Sequence, residues 1–366
     1  MRDKKIGVIT LQKNISSYGA SLQAYATFMF LKSQGYDTRL IDLRSYENIF
    51  YKRSKKHLTI SKSKRTSCIK GRILYYLRNP KKILRFWEFN RQLKYTHPYY
   101  SVDQLFKSPP FFDVYCTGSD QTFNPRLTIS PDAFLLSFTS GKKISYASSL
   151  GEIPLEEKYL PYYKESLPKY NHISVREEYT KNIIGSYFTK NEILITLDPT
   201  LLLPINHYES ICKSPNINDD YLLFFSLHPS RLNIHFAKNI AKSNRLRLIV
   251  IGRKINDVDA DFIASAGPKE WLGYLKCAKH IITDSFHGTV FSLLLNDNFI
   301  SIVPLHGDNR IGQLLRLFGL EDHIKHIEEG EIYNINETLF DKSTFVKKLN
   351  IEVQKSKDWL LSAIEN

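Results

Sequence analysis

Short apolar runs alternate with longer amphipathic stretches along nearly the whole chain, and this alternation narrows the fold more than any other feature. Strand-length runs at 5–11, 38–42, 112–117, 143–147, 172–175 and 193–197 form one series, and runs at 221–227, 247–251, 280–283 and 299–303 form a second. Between the first two, Leu22, Tyr25, Ala26, Met29 and Phe30 recur at helical spacing, and Gly35 ends a helix expected over 20–34. A strand–helix–strand succession of this kind requires a parallel pairing with a right-handed crossover. Further helices are expected near 155–167, 231–243, 268 onward (with Pro268 in its first turn), 288–296, from Arg310 to Gly319, and 343–364. Two such series in 366 residues fit two domains of about 150–200 residues each. The expected fold class is therefore α/β, with two Rossmann-like doubly wound domains facing a cleft. The boundary is expected in the Pro- and Asn-rich stretch 201–218, dividing 1–204 from 205–366. The last amphipathic helix is long enough to dock back across either domain.

Composition is that of a globular protein, with 42% hydrophobic and 24% charged residues. The N-terminal apolar run is too short for a signal peptide, and no stretch approaches the roughly 20 apolar residues that span a bilayer. Cys68, Cys116, Cys212 and Cys277 are far apart with no CxxC pair. They read as reduced, mostly buried thiols of a cytoplasmic protein rather than as disulfides or a zinc site. The net charge of +14 is concentrated in 51–100, which holds fifteen Lys and Arg against one acid, Glu88. Aromatics such as Tyr75, Tyr76, Phe86 and Trp87 are interleaved with them. This basic segment, about 50–108, reads as a helical insertion in the first domain. It is either a solvated insertion or a contact for an anionic membrane surface or a phosphorylated lipid-linked substrate. Nucleic acid is not expected, because no recognition motif accompanies the charge.

The stretch IITDSFHG at 281–288, running into TVFSLLLN, has the form of a strand, a tight polar turn and a helix start. Such a turn aims backbone N–H groups and the positive end of a helix dipole at whatever lies above it, which suits an anion. A histidine there, His287, can bind that anion or move a proton. The alternative is a buried strand–helix junction with an incidental histidine. Other polar loops follow strands at 14–19, 118–124, 148–151, Arg176 and 228–230. In doubly wound sheets, ligands bind beyond the carboxyl ends of strands, so these loops are expected to line one cleft.

Six of these stretches, taken together, resemble the polysaccharide pyruvyl transferase family. They are SYGASLQAY (17–25), GSDQTFNP (118–125), SYASSLG (145–151), ISVRE (173–177), LDPTL (197–201) and TDSFHGTVF (283–291), in the family's order. The resemblance implies a GT-B-like two-domain fold. It also implies transfer of the enolpyruvyl group of phosphoenolpyruvate onto two hydroxyls of a sugar, giving a pyruvate ketal and phosphate. It matches the family's anion-binding arginine to Arg176, its histidine to His287 and a later arginine to Arg310. Many relatives carry a basic residue one or two positions before that histidine, where this chain has Phe286 and Ser285. Arg253 or Lys254 could substitute.

Phosphoenolpyruvate carries a phosphate and a carboxylate, so its site needs at least two anion holders. Arg176 and Arg310 offer planar forks. The N–H groups of Gly288 and Thr289, with the hydroxyls of Ser285 and Thr289, are expected to complete a cradle. His287 is the candidate for proton transfer or for stabilising charge on the leaving phosphate. Asp120 is the candidate to take a proton from the acceptor hydroxyl, against a plain turn or capping role. Gln23, Gln121 and Asn124 are candidates to hydrogen-bond the sugar, and Tyr18 to stack on it. No residue cluster has metal-ligand spacing, and no cofactor is expected beyond phosphoenolpyruvate as co-substrate. A cytoplasmic enzyme, peripheral at the inner face of the membrane if its acceptor is lipid-linked, is one reading. A nucleotide-sugar glycosyltransferase of the same architecture and a non-catalytic scaffold of polysaccharide assembly are the others.

Overall fold

A computed structural model describes residues 4–12, 17–44, 79–128, 130–152, 154–188, 190, 192–252, 259–304, 310–327 and 340–366. Most of the expected basic insertion, with Cys68, and the candidate cations Arg253 and Lys254 lie outside them. In chain order the elements begin β1 (Lys5–Ile9), α1 (Tyr18–Ser33), β2 (Asp37–Leu40), α2 (Pro80–Asn90) and α3 (Val102–Lys107). They continue β3 (Val114–Thr117), α4 (Pro131–Phe134), β4 (Lys142–Ser148), α5 (Leu160–Ser166), β5 (His172–Val175), α6 (Glu178–Gly185) and β6 (Leu194–Ile195). After them come α7 (Ile205–Ile211), β7 (Tyr221–Phe225), α8 (Arg231–Ser243), β8 (Arg247–Ile251), β9 (Asp261–Ile263) and α9 (Pro268–Cys277). The chain ends with β10 (His280–Thr283), α10 (Phe286–Leu295), β11 (Phe299–Ile302), α11 (Arg310–Phe318), β12 (Ile324–Lys325) and α12 (Lys342–Glu365).

The chain divides into two compact units, one of residues 1–78, 90–202 and 352–366, the other of 79–89 and 203–351. The first unit holds a six-stranded sheet in the order β2-β1-β3-β4-β5-β6 with every pairing parallel. Val114 to Thr117 are all buried, as are Lys143 to Ser148. Burial on both faces is why these strands read as continuous apolar or small-residue runs instead of alternating ones. One core of the unit is built from Ile9, Phe123, Leu150, Ile173 and Val175 with the rings of Tyr163 and Tyr170. The end of α12 belongs to this unit. Its Ser356 Oγ accepts from Leu197 N at 3.1 Å, and Glu365 pairs with Lys4 at 2.8 Å.

The second unit holds a sheet in the order β12-β11-β10-β7-β8-β9, again all parallel. Counted from β7, this is the Rossmann order 3-2-1-4-5-6, with its reversal between β7 and β10. Helix α2, expected as part of a first-domain insertion, packs in this unit. Arg85 donates to Ser265 O at 2.8 Å and pairs with Glu270 at 3.1 Å. The stretch expected to hold the domain boundary contains α7, whose Tyr208 ring meets Phe291 of α10 edge-on at 4.9 Å. Lys342, at the start of α12, donates to the carbonyls of Leu293, Leu294 and Asn296 at 3.0–3.2 Å. A cation is thereby placed on the negative end of α10. Free thiols are found at Cys116, which is buried, at half-buried Cys212 and at Cys277, which is exposed against expectation. Among the described residues no helix is long and apolar enough to cross a membrane.

His280 opens β10 fully buried, and burial pushes its pKa from the usual 6.5 down to about 4, with the Asn298 hydrogen bond opposing that fall. The folded protein therefore keeps it neutral while the unfolded chain takes a proton below pH 6.5. Its contribution is complete above pH 6.5 and is lost as pH falls toward 4, by up to about 3 kcal/mol. Denaturation of wild type and His280→Gln at pH 7.5 and 4.5 should show a steeper acid loss in wild type; parallel losses would contradict it.

Candidate functional site

In the first unit the carboxyl ends of β3, β4, β5 and β6 lie along one edge of the sheet, and each delivers a polar residue there. After β3, the loop 118–124 is tied down by its own side chains. Thr122 Oγ1 donates to Gly118 O at 2.7 Å, Gln121 N to Asp120 Oδ1 at 2.9 Å, and Asn124 Nδ2 to Gln121 Oε1 at 2.9 Å. Asp120 has φ +73 and Ala147, near the end of β4, has φ +48. For residues with a Cβ these conformations carry strain, and strained backbone concentrates at functional sites. The loop is stitched to β4 by Ser149 N donating to Asp120 O at 3.0 Å and Phe123 N to Ser149 O at 3.0 Å.

Arg176 follows β5 and is buried, with 3% of its side chain exposed. Its Nη1 donates to Asp198 Oδ2 at 3.0 Å, its Nη2 lies 3.8 Å from Asp120 Oδ1, and its Nε lies 3.7 Å from Glu177 Oε2. One cation thus faces three carboxylates. Burial alone would lower the arginine's pKa, but Asp198, Asp120 and Glu177 together hold it above its ordinary value. Asp198 and Glu177 are buried, whereas 16% of the Asp120 side chain is exposed. Asp120 is the carboxylate of the three with access to solvent.

The remaining first-unit candidates are placed differently. Gln23 is fully buried, and its amide donates to Thr10 Oγ1, Leu11 O and Ala20 O at 2.7–3.2 Å. It braces the end of β1 against α1 instead of facing a sugar. Asn124 is buried in its loop, where its Oδ1 accepts from Arg126 N at 3.0 Å, and Tyr18 is buried as the first residue of α1. Gln121 remains half-buried beside Asp120.

In the second unit, the carboxyl ends of β7 and β10 flank the point where strand order reverses. Asp284 joins them, accepting from Ser226 Oγ at 2.5 Å, Leu227 N at 2.7 Å and His228 N at 3.3 Å. Ser285 caps α10, its Oγ accepting from Gly288 N at 3.2 Å. The helix therefore starts at Phe286, two residues earlier than the sequence implied, and His287 is in its first turn. The Gly288 and Thr289 N–H groups, expected to face an anion, are engaged inside the turn by Ser285 Oγ and Ser285 O. Thr289 Oγ1 likewise points to Ser285 O and Ser301 Oγ. His287 is buried, its ring edge-on to Phe286 at 5.3 Å, and the Arg310 guanidinium lies 6.0 Å from the centre of the Phe286 ring. The fold thus gathers His287, Phe286 and Arg310 at the positive end of a ten-residue helix. Among the described residues no group of three or more His, Cys, Asp or Glu side chains is arranged to hold a metal.

Sequence reasoning did not single out Asp198, Glu177 or Asp284. The available signal was capping grammar: Asp198-Pro199-Thr200 is an acidic cap with proline in the first turn, and Asp284 lies directly before a serine cap.

Two successive doubly wound units with polar chemistry at their strand ends define a GT-B-like α/β protein. The chain belongs to the polysaccharide pyruvyl transferase family, whose profile matches residues 18–306. Its structure is similar to that of a UDP-N-acetylglucosamine 2-epimerase from Rickettsia bellii, with a TM-score of 0.56 and 10% identity over 100% of this chain and 97% of that one. A putative UDP-N-acetylglucosamine 2-epimerase from Listeria monocytogenes gives 0.52 and 9% over 100% and 91%. At such identities the likeness concerns the fold alone. No curated protein matches the chain in sequence.

A Cβ added at Gly288 would lie 2.3 Å from Thr283 Oγ1 and 3.1 Å from Ser285 Cβ. Gly288→Ala should therefore push α10 off its cap and cost about 1–3 kcal/mol. Urea denaturation measures this, and an unchanged midpoint would mean the turn has room to spare.

Proposed function

We propose that this protein transfers the enolpyruvyl group of phosphoenolpyruvate onto two hydroxyls of a sugar in a surface polysaccharide or its lipid-linked precursor. The observation that carries this reading is family membership over 18–306, with His287 in the first turn of α10. The phosphate of phosphoenolpyruvate lies at the positive end of α10, where the helix dipole and Arg310 favour an anion. A proton reaches the methylene carbon, which becomes the methyl group, and leaves an oxocarbenium-like centre at C2. One sugar hydroxyl adds there and gives its proton to Asp120. Phosphate leaves with its electron pair, a second hydroxyl closes the ketal, and its proton ends on phosphate. His287 supplies the first proton or steadies charge on the leaving phosphate. The excess of Lys and Arg in 51–100 favours a lipid-linked acceptor at the inner face of an anionic membrane.

The test is incubation with phosphoenolpyruvate and a panel of lipid-linked or synthetic galactosides, glucosides and mannosaminides. Phosphate release and the mass gain of one pyruvate ketal are expected, with His287→Ala slowing turnover by about 10²–10⁴-fold. Thermal stabilisation by a nucleoside diphosphate, with none by phosphoenolpyruvate, would instead mark a nucleotide-sugar glycosyltransferase.

A further inference from the structure

We infer that Arg176 is a positioning residue, clamped by Asp198, that fixes Asp120 toward the acceptor and does not hold phosphoenolpyruvate. This inference rests on the pyruvyl-transfer reading for its chemistry and on the first unit's geometry for its substance. The resemblance would assign Arg176 to an anion, yet its guanidinium is buried with three carboxylates around it. An approaching phosphate or carboxylate would meet their combined negative charge, with Nη1 already held by Asp198 at 3.0 Å.

Asp198 is anchored in turn. Its Oδ2 accepts from Ser119 Oγ at 2.8 Å as well as from Arg176, and its Oδ1 accepts from Thr200 N at 3.0 Å and Thr200 Oγ1 at 2.6 Å. A carboxylate receiving this many donors is held in one orientation. Ser119 directly precedes Asp120, so Asp198 holds this loop directly through Ser119, while the Arg176 it clamps lies 3.8 Å from Asp120 Oδ1. Glu177 completes the frame. Its Oε1 accepts from Thr180 Oγ1, which itself accepts from Leu150 N at 2.9 Å. Asp120, alone partly open, sits at φ +73 at the end of this chain. The arrangement has the logic of a buried acid orienting a cation that orients the reacting group.

The experiment compares wild type, Arg176→Gln, Arg176→Lys, Asp198→Asn and Arg310→Gln. Calorimetric titration with phosphoenolpyruvate gives Kd without turnover, kinetics give kcat, and a crystal structure of Arg176→Gln gives the Asp120 position. Arg176→Gln and Asp198→Asn should keep Kd within about threefold of wild type while kcat falls about 100-fold, and Arg176→Lys should recover about tenfold of that loss. Arg310→Gln should raise Kd about tenfold or more. In the Arg176→Gln crystal the Asp120 carboxylate should move by about 1 Å or more. A rise in Kd of about tenfold in Arg176→Gln, with Asp198→Asn unaffected, would return the arginine to phosphoenolpyruvate. An unmoved Asp120 carboxylate would equally overturn the inference. If wild type binds no phosphoenolpyruvate, the pyruvyl-transfer reading falls, and the Asp120 position alone decides the role of Arg176.

Discussion

The buried carboxylate of Asp198 is the interaction on which the first unit's site depends. Taking a carboxylate out of water costs several kcal/mol, and it is tolerated only when donors replace the lost hydration. Here Ser119, Arg176 and the backbone and hydroxyl of Thr200 supply them. These donors come from the loop after β3, the end of β5 and the turn after β6, so satisfying one charge fixes three chain segments against each other. Parallel pairing makes this possible, because it brings the carboxyl ends of all these strands to one edge.

The second unit ties its strand ends together with less charge. Asp284 is satisfied by a hydroxyl and two backbone N–H groups from the end of β7, with no cation among these donors. It bridges the ends of the two strands where their order reverses. Ser285 then starts α10 immediately beyond, and Lys342 steadies the other end of the same helix. The helix that carries His287 is thus capped at both termini, which keeps its first turn in one geometry.

Long periodic elements were legible in the sequence because burial imposes a repeat on many residues at once. The spans of β5, α8, β8, β10 and α11 follow directly from apolar period and from Gly or Pro punctuation. β9 and β12, of three and two residues, and the seven-residue α7 carry too few positions for a period to register. Site residues were legible by position and less so by role. Gln23 was a candidate to hydrogen-bond the sugar, but its place one turn into α1 points it back at Thr10. Ser285 and Gly288 looked like two anion ligands, whereas the serine oxygen takes the glycine N–H for the cap. The competition between capping and ligand binding for the same few N–H groups is settled by backbone geometry, which residue identity does not specify.

The resemblance implies a basic residue one or two positions before the histidine, where this chain has Phe286 and Ser285, and the second unit brings a cation close to that turn. An aromatic face attracts a guanidinium, and Arg310 lies 6.0 Å from the Phe286 ring centre, at the outer edge of that attraction. This cation reaches the turn from the start of α11. The ring that receives it also packs against His287. A turn without a basic residue of its own thus still has positive charge beside it, whose position depends on how α11 packs against α10.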